Sequence, residues 1–133
     1  MNAMTDNDDQ PKKILYVQTH GADDPARAAT PFYLASSAAA MDAEVSIYFT
    51  MKGPTLLQKG VPEKLEIPRA AGGGAKLRHF IDQATDLGVK LYVCQPSLDL
   101  HGYSQEDLID GVEMIGGAAF NDMALNSDAV ITF

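Results

Sequence analysis

Apolar residues along the chain gather in five short runs, with a different spacing between them. The runs are Ile14 to Val17, Glu44 to Thr50, Val89 to Cys94, Val112 to Ile115 and Ala129 to Phe133. They are rich in β-branched and aromatic residues, and some are continuous rather than alternating, as strands covered on both faces should be. Between them the spacing turns helical. Thr30 suits a helix N-cap with Pro31 in the first position, where a missing N–H removes no bond, and the Ala-rich stretch carries that helix to about Met41. The pair Asp24-Pro25 offers another start a turn or two sooner, with a kink at Pro31. Leu77, Phe80, Ile81, Ala84 and Leu87 share one helical face, and Gly88 supplies the stop. Ser104 with Asp107 resembles a capping box with Asp in place of Glu, ahead of a short helix to Asp110. Gly117 to Asn126 reads as a last helix, with Asn126 suited to a left-handed cap.

Strands alternating with helices imply right-handed βαβ crossovers and a parallel sheet. The fold class is therefore α/β: a three-layer α/β/α sandwich with a five-stranded parallel sheet, its strand order open. Residues 53–75 are the least regular part, with Pro54, Pro62, Pro68 and Gly72-Gly73-Gly74. They read as a short helix near Thr55 to Lys59 and a long surface loop, where α/β proteins often place binding or assembly surfaces. Residues 1–11 read as a disordered N-terminal tail, which leaves a single domain at 12–133.

Composition narrows the function classes. With 133 residues, 46% hydrophobic and 21% charged, the chain suits one domain that needs no covalent staples. A net charge of −8 repels phosphate backbones and argues against nucleic acid. Neither a signal peptide nor an apolar run near the ~20 residues a bilayer requires is visible, which points to the cytoplasm. The single cysteine rules out an intrachain disulfide and a Cys-rich zinc site, and it fits a reducing compartment.

Ligand crevices of open α/β sheets lie beyond the carboxyl ends of the strands. The first strand contributes Thr19, His20 and Gly21 there, the second Thr50, Met51 and Lys52, the third Cys94, Gln95 and Ser97. Cys94 is either a small buried hydrophobe or a chemical centre. At the end of its strand the thiol can reach solvent, and a helix N-terminus or a protonated His20 or His101 could raise its thiolate fraction. His20 is a proton donor or acceptor beside that thiol, or a loop histidine without a task. His101 follows Cys94 by one polar loop and could fold back toward it. His79 lies on the charged face of its helix and reads as solvated. Lys52 could hold an anionic group, but a solvated lysine is commoner. The Gly72-Gly73-Gly74 run with Lys76 lacks the Walker pattern and reads better as a linker than as an anion cradle. Tyr16, Tyr48 and Tyr92 read as core or subunit-contact residues. A metal site from Cys94, His20 and His101 is chemically possible, but its spacing matches no compact ligand motif.

Several of these segments together resemble DsrE/DsrF-like proteins. They are the turn Thr19-His20-Gly21-Ala22-Asp23-Asp24-Pro25, the Ala-rich helix feeding Glu44 to Thr50, Lys52-Gly53, Leu56-Leu57, Gly88-Val89 to Cys94 with Ser97 and Gly102, and the closing Asp128 to Phe133. The resemblance implies a parallel-sheet subunit that assembles into trimers or hexamers. It also implies that Cys94 accepts sulfane sulfur as a persulfide and hands it to a TusA-like or rhodanese-like protein. The segment from Cys94 to Gly102 departs from the cysteine loops of DsrE and TusD and is nearer to uncharacterised DsrE-like branches.

Two functions follow as expectations. One is a sulfur carrier or sulfurtransferase subunit with Cys94 as nucleophile and His20 and His101 tuning its protonation, without a cofactor. The other is a non-catalytic ligand- or partner-binding assembly module in which Cys94 is structural. The long irregular region and the six methionines add weak support for a homo-oligomer.

Overall fold

The computed structural model describes residues 10–133. The reading of the first residues as a tail falls, for residues 1–9, outside the described residues. Five strands form one all-parallel sheet: β1 (Lys13–Gln18), β2 (Glu44–Phe49), β3 (Lys90–Cys94), β4 (Val112–Ile115) and β5 (Ala129–Thr132), in the order β4-β3-β2-β1-β5. Helices α1 (Thr30–Ala40), α2 (Val61–Lys64), α3 (Leu77–Asp86), α4 (Gln95–His101) and α5 (Gly117–Leu125) join them. The architecture is the expected three-layer α/β sandwich, and the strand order is what the pattern had left open.

The main core lies on one face of the sheet. Tyr16, Val45, Ile47, Phe49, Leu91 and Val93 project there and meet Phe32 and Ala35 of α1 and Leu77, Ile81 and Ala84 of α3. Phe32 and Phe49 stack with ring centroids 5.6 Å apart. The opposite face carries a smaller cluster, Leu15, Val17, Tyr48 and Ile115, covered by Phe120, Met123 and Ala124 of α5. Period-2 side-chain alternation divides each strand between these two cores. The buried Tyr16 and Tyr48 thus serve opposite faces, and Tyr92 is half-buried against the smaller one.

Several local expectations are corrected. Asp24-Pro25 does not begin α1; it opens a separate 3₁₀ turn, Pro25–Arg27. Thr30 is the first residue of α1 rather than its cap, with Ala29 at the cap and no side-chain capping bond. The Ser104–Asp107 capping box forms, but it closes only a 3₁₀ turn over Gln105–Asp107. Asn126 ends α5 with φ −96° rather than left-handed, and its side-chain Nδ2 donates to the Asp122 carbonyl at 2.8 Å. That amide satisfies an end carbonyl directly, so no left-handed residue is needed. Leu87 is exposed beyond the end of α3.

Residues 53–75 hold more structure than expected. A 3₁₀ turn spans Gly53–Leu57 and buries Pro54, Leu56 and Leu57; α2 follows. A hairpin-like excursion then pairs Glu66 with Lys76, with Ile67 N–H donating to the Ala75 carbonyl at 2.8 Å. Gly72 and Gly73 have φ of 80° and 66°, and Gly74 leaves no room for a side chain against the Ile67 carbonyl. The glycine run therefore turns a tight excursion back on itself.

Burial ranks the sheet positions energetically. Phe49→Ala, which removes a fully buried ring from the central strand, should lower stability by about 3–5 kcal/mol in chemical denaturation. Val130→Ala on the edge strand β5 should stay within about 1 kcal/mol.

Candidate active site at the carboxyl ends of the strands

Cys94 is the last residue of β3 and the N-cap of α4, so strand passes into helix with no intervening residue. This corrects the expected loop after Cys94: Pro96 sits in the first turn of α4, a position that needs no N–H, and the helix runs to His101 before Gly102 closes it in the left-handed conformation, φ 71°. The thiol is half-buried and packs beside the smaller core cluster with Tyr48 and Ile115.

Burial pushes the Cys94 thiol up. Four donors outweigh it: the Ser97 hydroxyl, the Tyr48 hydroxyl, the Ser97 backbone N–H and the Thr50 hydroxyl, which together hold the thiol below its ordinary value. Tyr48 moves the other way. Burial and its contact with Cys94 push its phenol well up, so it stays a proton donor toward the sulfur. Parallel pairing explains how these groups meet. Tyr48 lies opposite Tyr92 in the β2–β3 register, so the end of β2 runs level with the end of β3. Ser97 is buried, accepts the Met51 N–H at 2.8 Å and lies 3.3 Å from Thr50 Oγ1. Neither Tyr48 nor Ser97 was singled out from sequence as acting on the thiol. The available signals were period-2 placement of Tyr48 and the three-residue step from an N-cap to Ser97, and the second is readable only once α4 is known to begin at Gln95.

The two histidines lie at the same edge but are not among the groups acting on the sulfur. His20 follows β1, on the far side of β2. Arg27 lies 3.2 Å from its Nε2 and can only donate, which places the ring proton on Nδ1, 3.3 Å from Thr19 Oγ1. The Thr19 hydroxyl in turn donates to the Phe133 carbonyl at 2.6 Å. His101 ends α4 and donates its Nε2–H to the Met51 carbonyl at 2.6 Å, with its ring stacked on Tyr103. It lines a cleft of about 260 Å³ with Ala22, Asp23, Lys52 and Thr55. Lys52 is paired there with Asp23 at 2.9 Å, which holds that carboxyl below its usual range. Among the described residues no cluster of three or more His, Cys, Asp or Glu side chains could hold a metal, so Cys94, His20 and His101 do not converge as ligands. His79 is exposed on α3.

The fold, a β4-β3-β2-β1-β5 parallel sheet between helices, agrees with the comparisons to known proteins. The sequence model of the DsrE/DsrF-like family matches residues 12–133. The chain belongs to the DsrE/DsrF-like family. The sulfur carrier protein DsrE2 of Allochromatium vinosum is 31% identical, over 88% of this chain and 95% of its own length. The uncharacterized protein YrkE of Bacillus subtilis is also 31% identical, over 84% of this chain and 91% of its own. Among solved structures, the ychN protein from E. coli superposes with a TM-score of 0.74 at 19% identity, covering 93% of this chain and 100% of that one. At that identity the likeness bears on the fold alone.

The donor set around the thiol of this DsrE/DsrF-like chain makes a direct prediction. Tyr48→Phe keeps the ring, which stacks on Phe120 at 4.3 Å, and deletes one donor to the sulfur. The pH dependence of Cys94 alkylation should shift to higher pH, with slower alkylation at neutral pH and an unchanged far-UV circular dichroism spectrum. An unshifted profile would remove Tyr48 from the set.

Proposed function

We propose that this chain is a sulfur carrier: Cys94 takes up sulfane sulfur as a persulfide and passes it to a partner protein. The observation that carries the reading is the chain's one thiol, half-buried at the carboxyl end of β3 where it caps α4, beside Tyr48 and the Ser97 turn that lower its pKa. Membership of the DsrE/DsrF-like family and the likeness to a sulfur carrier support it.

The chemistry balances without an external oxidant. The Cys94 thiolate attacks the outer sulfur of a donor persulfide or polysulfide. The donor's S–S bond breaks, its electron pair leaves on the donor thiolate, and a new Sγ–S bond forms. In the return half a partner thiolate attacks the outer sulfur, and Cys94 departs as thiolate. The donors that favour attack also favour departure, since both steps have the anionic sulfur on Cys94 at one end. With one cysteine in the chain, the accepting thiol belongs to another subunit or to a partner protein of the TusA-like or rhodanese-like kind. His20 and His101 lie at the same edge, so any tuning of the thiol by them acts without direct contact. The reducing cytoplasm is the compartment in which this chemistry fits.

After incubation with inorganic polysulfide, the intact mass should rise by whole sulfur atoms. Dithiothreitol should remove the gain, and Cys94→Ser should never show it. A native protein that gains no sulfur and alkylates like an ordinary thiol would favour the assembly-module reading.

The assembly part of the proposal, a trimer or hexamer, is supported by α5 and β5. Helix α5 buries none of its residues although it is largely apolar, and Leu125 is 85% exposed. Val130 and Ile131 of β5 are 45% and 40% exposed. A helix apolar on most sides is normally covered. Light scattering should therefore give a mass that is a multiple of the subunit's, and Leu125→Glu should move it toward the monomer. A wild-type monomer at micromolar concentration would overturn this part.

A further inference from the structure

Met51 occupies the turn after β2 with φ 57°, in the left-handed region that a methionine seldom adopts. Both of its backbone polar groups are used on one neighbour. Its N–H donates to Ser97 Oγ at 2.8 Å, and its carbonyl accepts the His101 Nε2–H at 2.6 Å. Ser97 lies in the first turn of α4 and His101 is the helix's last residue, so one strained residue grips the helix at both ends. The side chain of Met51 takes no part and is 60% exposed. Strain of this kind persists only where surrounding bonds over-determine the backbone.

The grip matters because α4 has little else to hold it. Of its seven residues only Ser97 and Leu98 are buried. Beyond them, Tyr103 N–H donates to the Leu98 carbonyl at 2.9 Å, and the Tyr103 hydroxyl donates to Gln58 at 3.1 Å. Since β3 runs straight into α4 and Cys94 is held in the sheet opposite Ile115, any tilt or slide of the helix moves the Ser97 donors relative to the thiol.

The geometry points to His101 as a positioning residue for Cys94: its bond to the Met51 carbonyl holds the last turn of α4 against the end of β2, the Met51 N–H holds the first turn through Ser97, and together they fix how the sulfur is presented. This rests on reading Cys94 as the nucleophile, and it gives His101 a task that needs no contact with the thiol. The charged groups sharing the cleft with His101 are Asp23 and Lys52, which pair with each other, and Tyr103 stacks on its ring.

The test is the pH profile of Cys94 alkylation by iodoacetamide in three variants, read beside thermal melting. His101→Phe keeps a ring against Tyr103 but cannot donate. His101→Ala loses ring and donor, and His101→Gln restores an N–H donor. In the Phe and Ala variants the alkylation inflection should move to higher pH, with alkylation at neutral pH slowed several-fold. The Gln variant should lie close to wild type. Wild-type profiles in Phe and Ala, even with lowered melting temperatures, would reduce His101 to a structural contact and overturn the inference. So would a Gln variant that behaves like Ala. Alkylation needs no sulfur donor, so a wild-type protein that takes up no sulfur would sink the carrier reading and leave this measurement standing.

Discussion

Strand β2 is the element on which the rest of the molecule depends. It lies at the centre of the sheet, pairs in parallel with β1 through six register positions and with β3 through four, and sends Ile47 and Phe49 into the larger core and Tyr48 into the smaller. Parallel pairing brings every strand's carboxyl end to one edge, and register then decides which ends are level. Because Tyr48 lies opposite Tyr92, the next turn of the chain, Thr50 and Met51, arrives beside the first turn of α4. The site is thus assembled by backbone pairing several residues away from it.

At that junction two opposing effects act on one sulfur. Partial burial disfavours a thiolate, and four short-range donors favour it. Two of the residues that supply donors are held in place by other contacts: Ser97 is buried and accepts the Met51 N–H, and Tyr48 lies between the sheet and Phe120. Pre-oriented donors lose little freedom when the charge forms, which is why a few hydroxyls can offset desolvation. Neither histidine acts on the sulfur directly; His101 reaches it only through the Met51 carbonyl and α4.

Much of this was legible in the chain, and the failures are instructive. The five apolar runs correspond to the five strands; continuity reflects burial on both faces in β1 to β3, whereas β5 leaves Val130 and Ile131 largely uncovered. The face of α3 was readable from Leu77, Ile81 and Ala84, which are all buried. The segment from Cys94 to His101, expected as a polar loop, is a helix, because Pro96 falls in its first turn where proline removes no bond. In residues 53–75 the expected short helix near Thr55 to Lys59 is a 3₁₀ turn over Gly53–Leu57 that buries Leu56 and Leu57, and the expected long loop contains α2 and a tight glycine turn.

The sequence by itself determined the fold class, the placement of Cys94 at a strand end, and the absence of a second thiol. Those follow from local periodicity and from counting, which need no knowledge of neighbours distant in sequence. Only the tertiary structure decided which groups surround the sulfur. Tyr48, Thr50 and Ser97 are up to 49 positions apart in the chain and meet only because β2 and β3 are adjacent and in register. It also separated His20 from Cys94 by placing β2 between β1 and β3, a strand order that hydrophobic pattern cannot encode because all the strands share the same pattern.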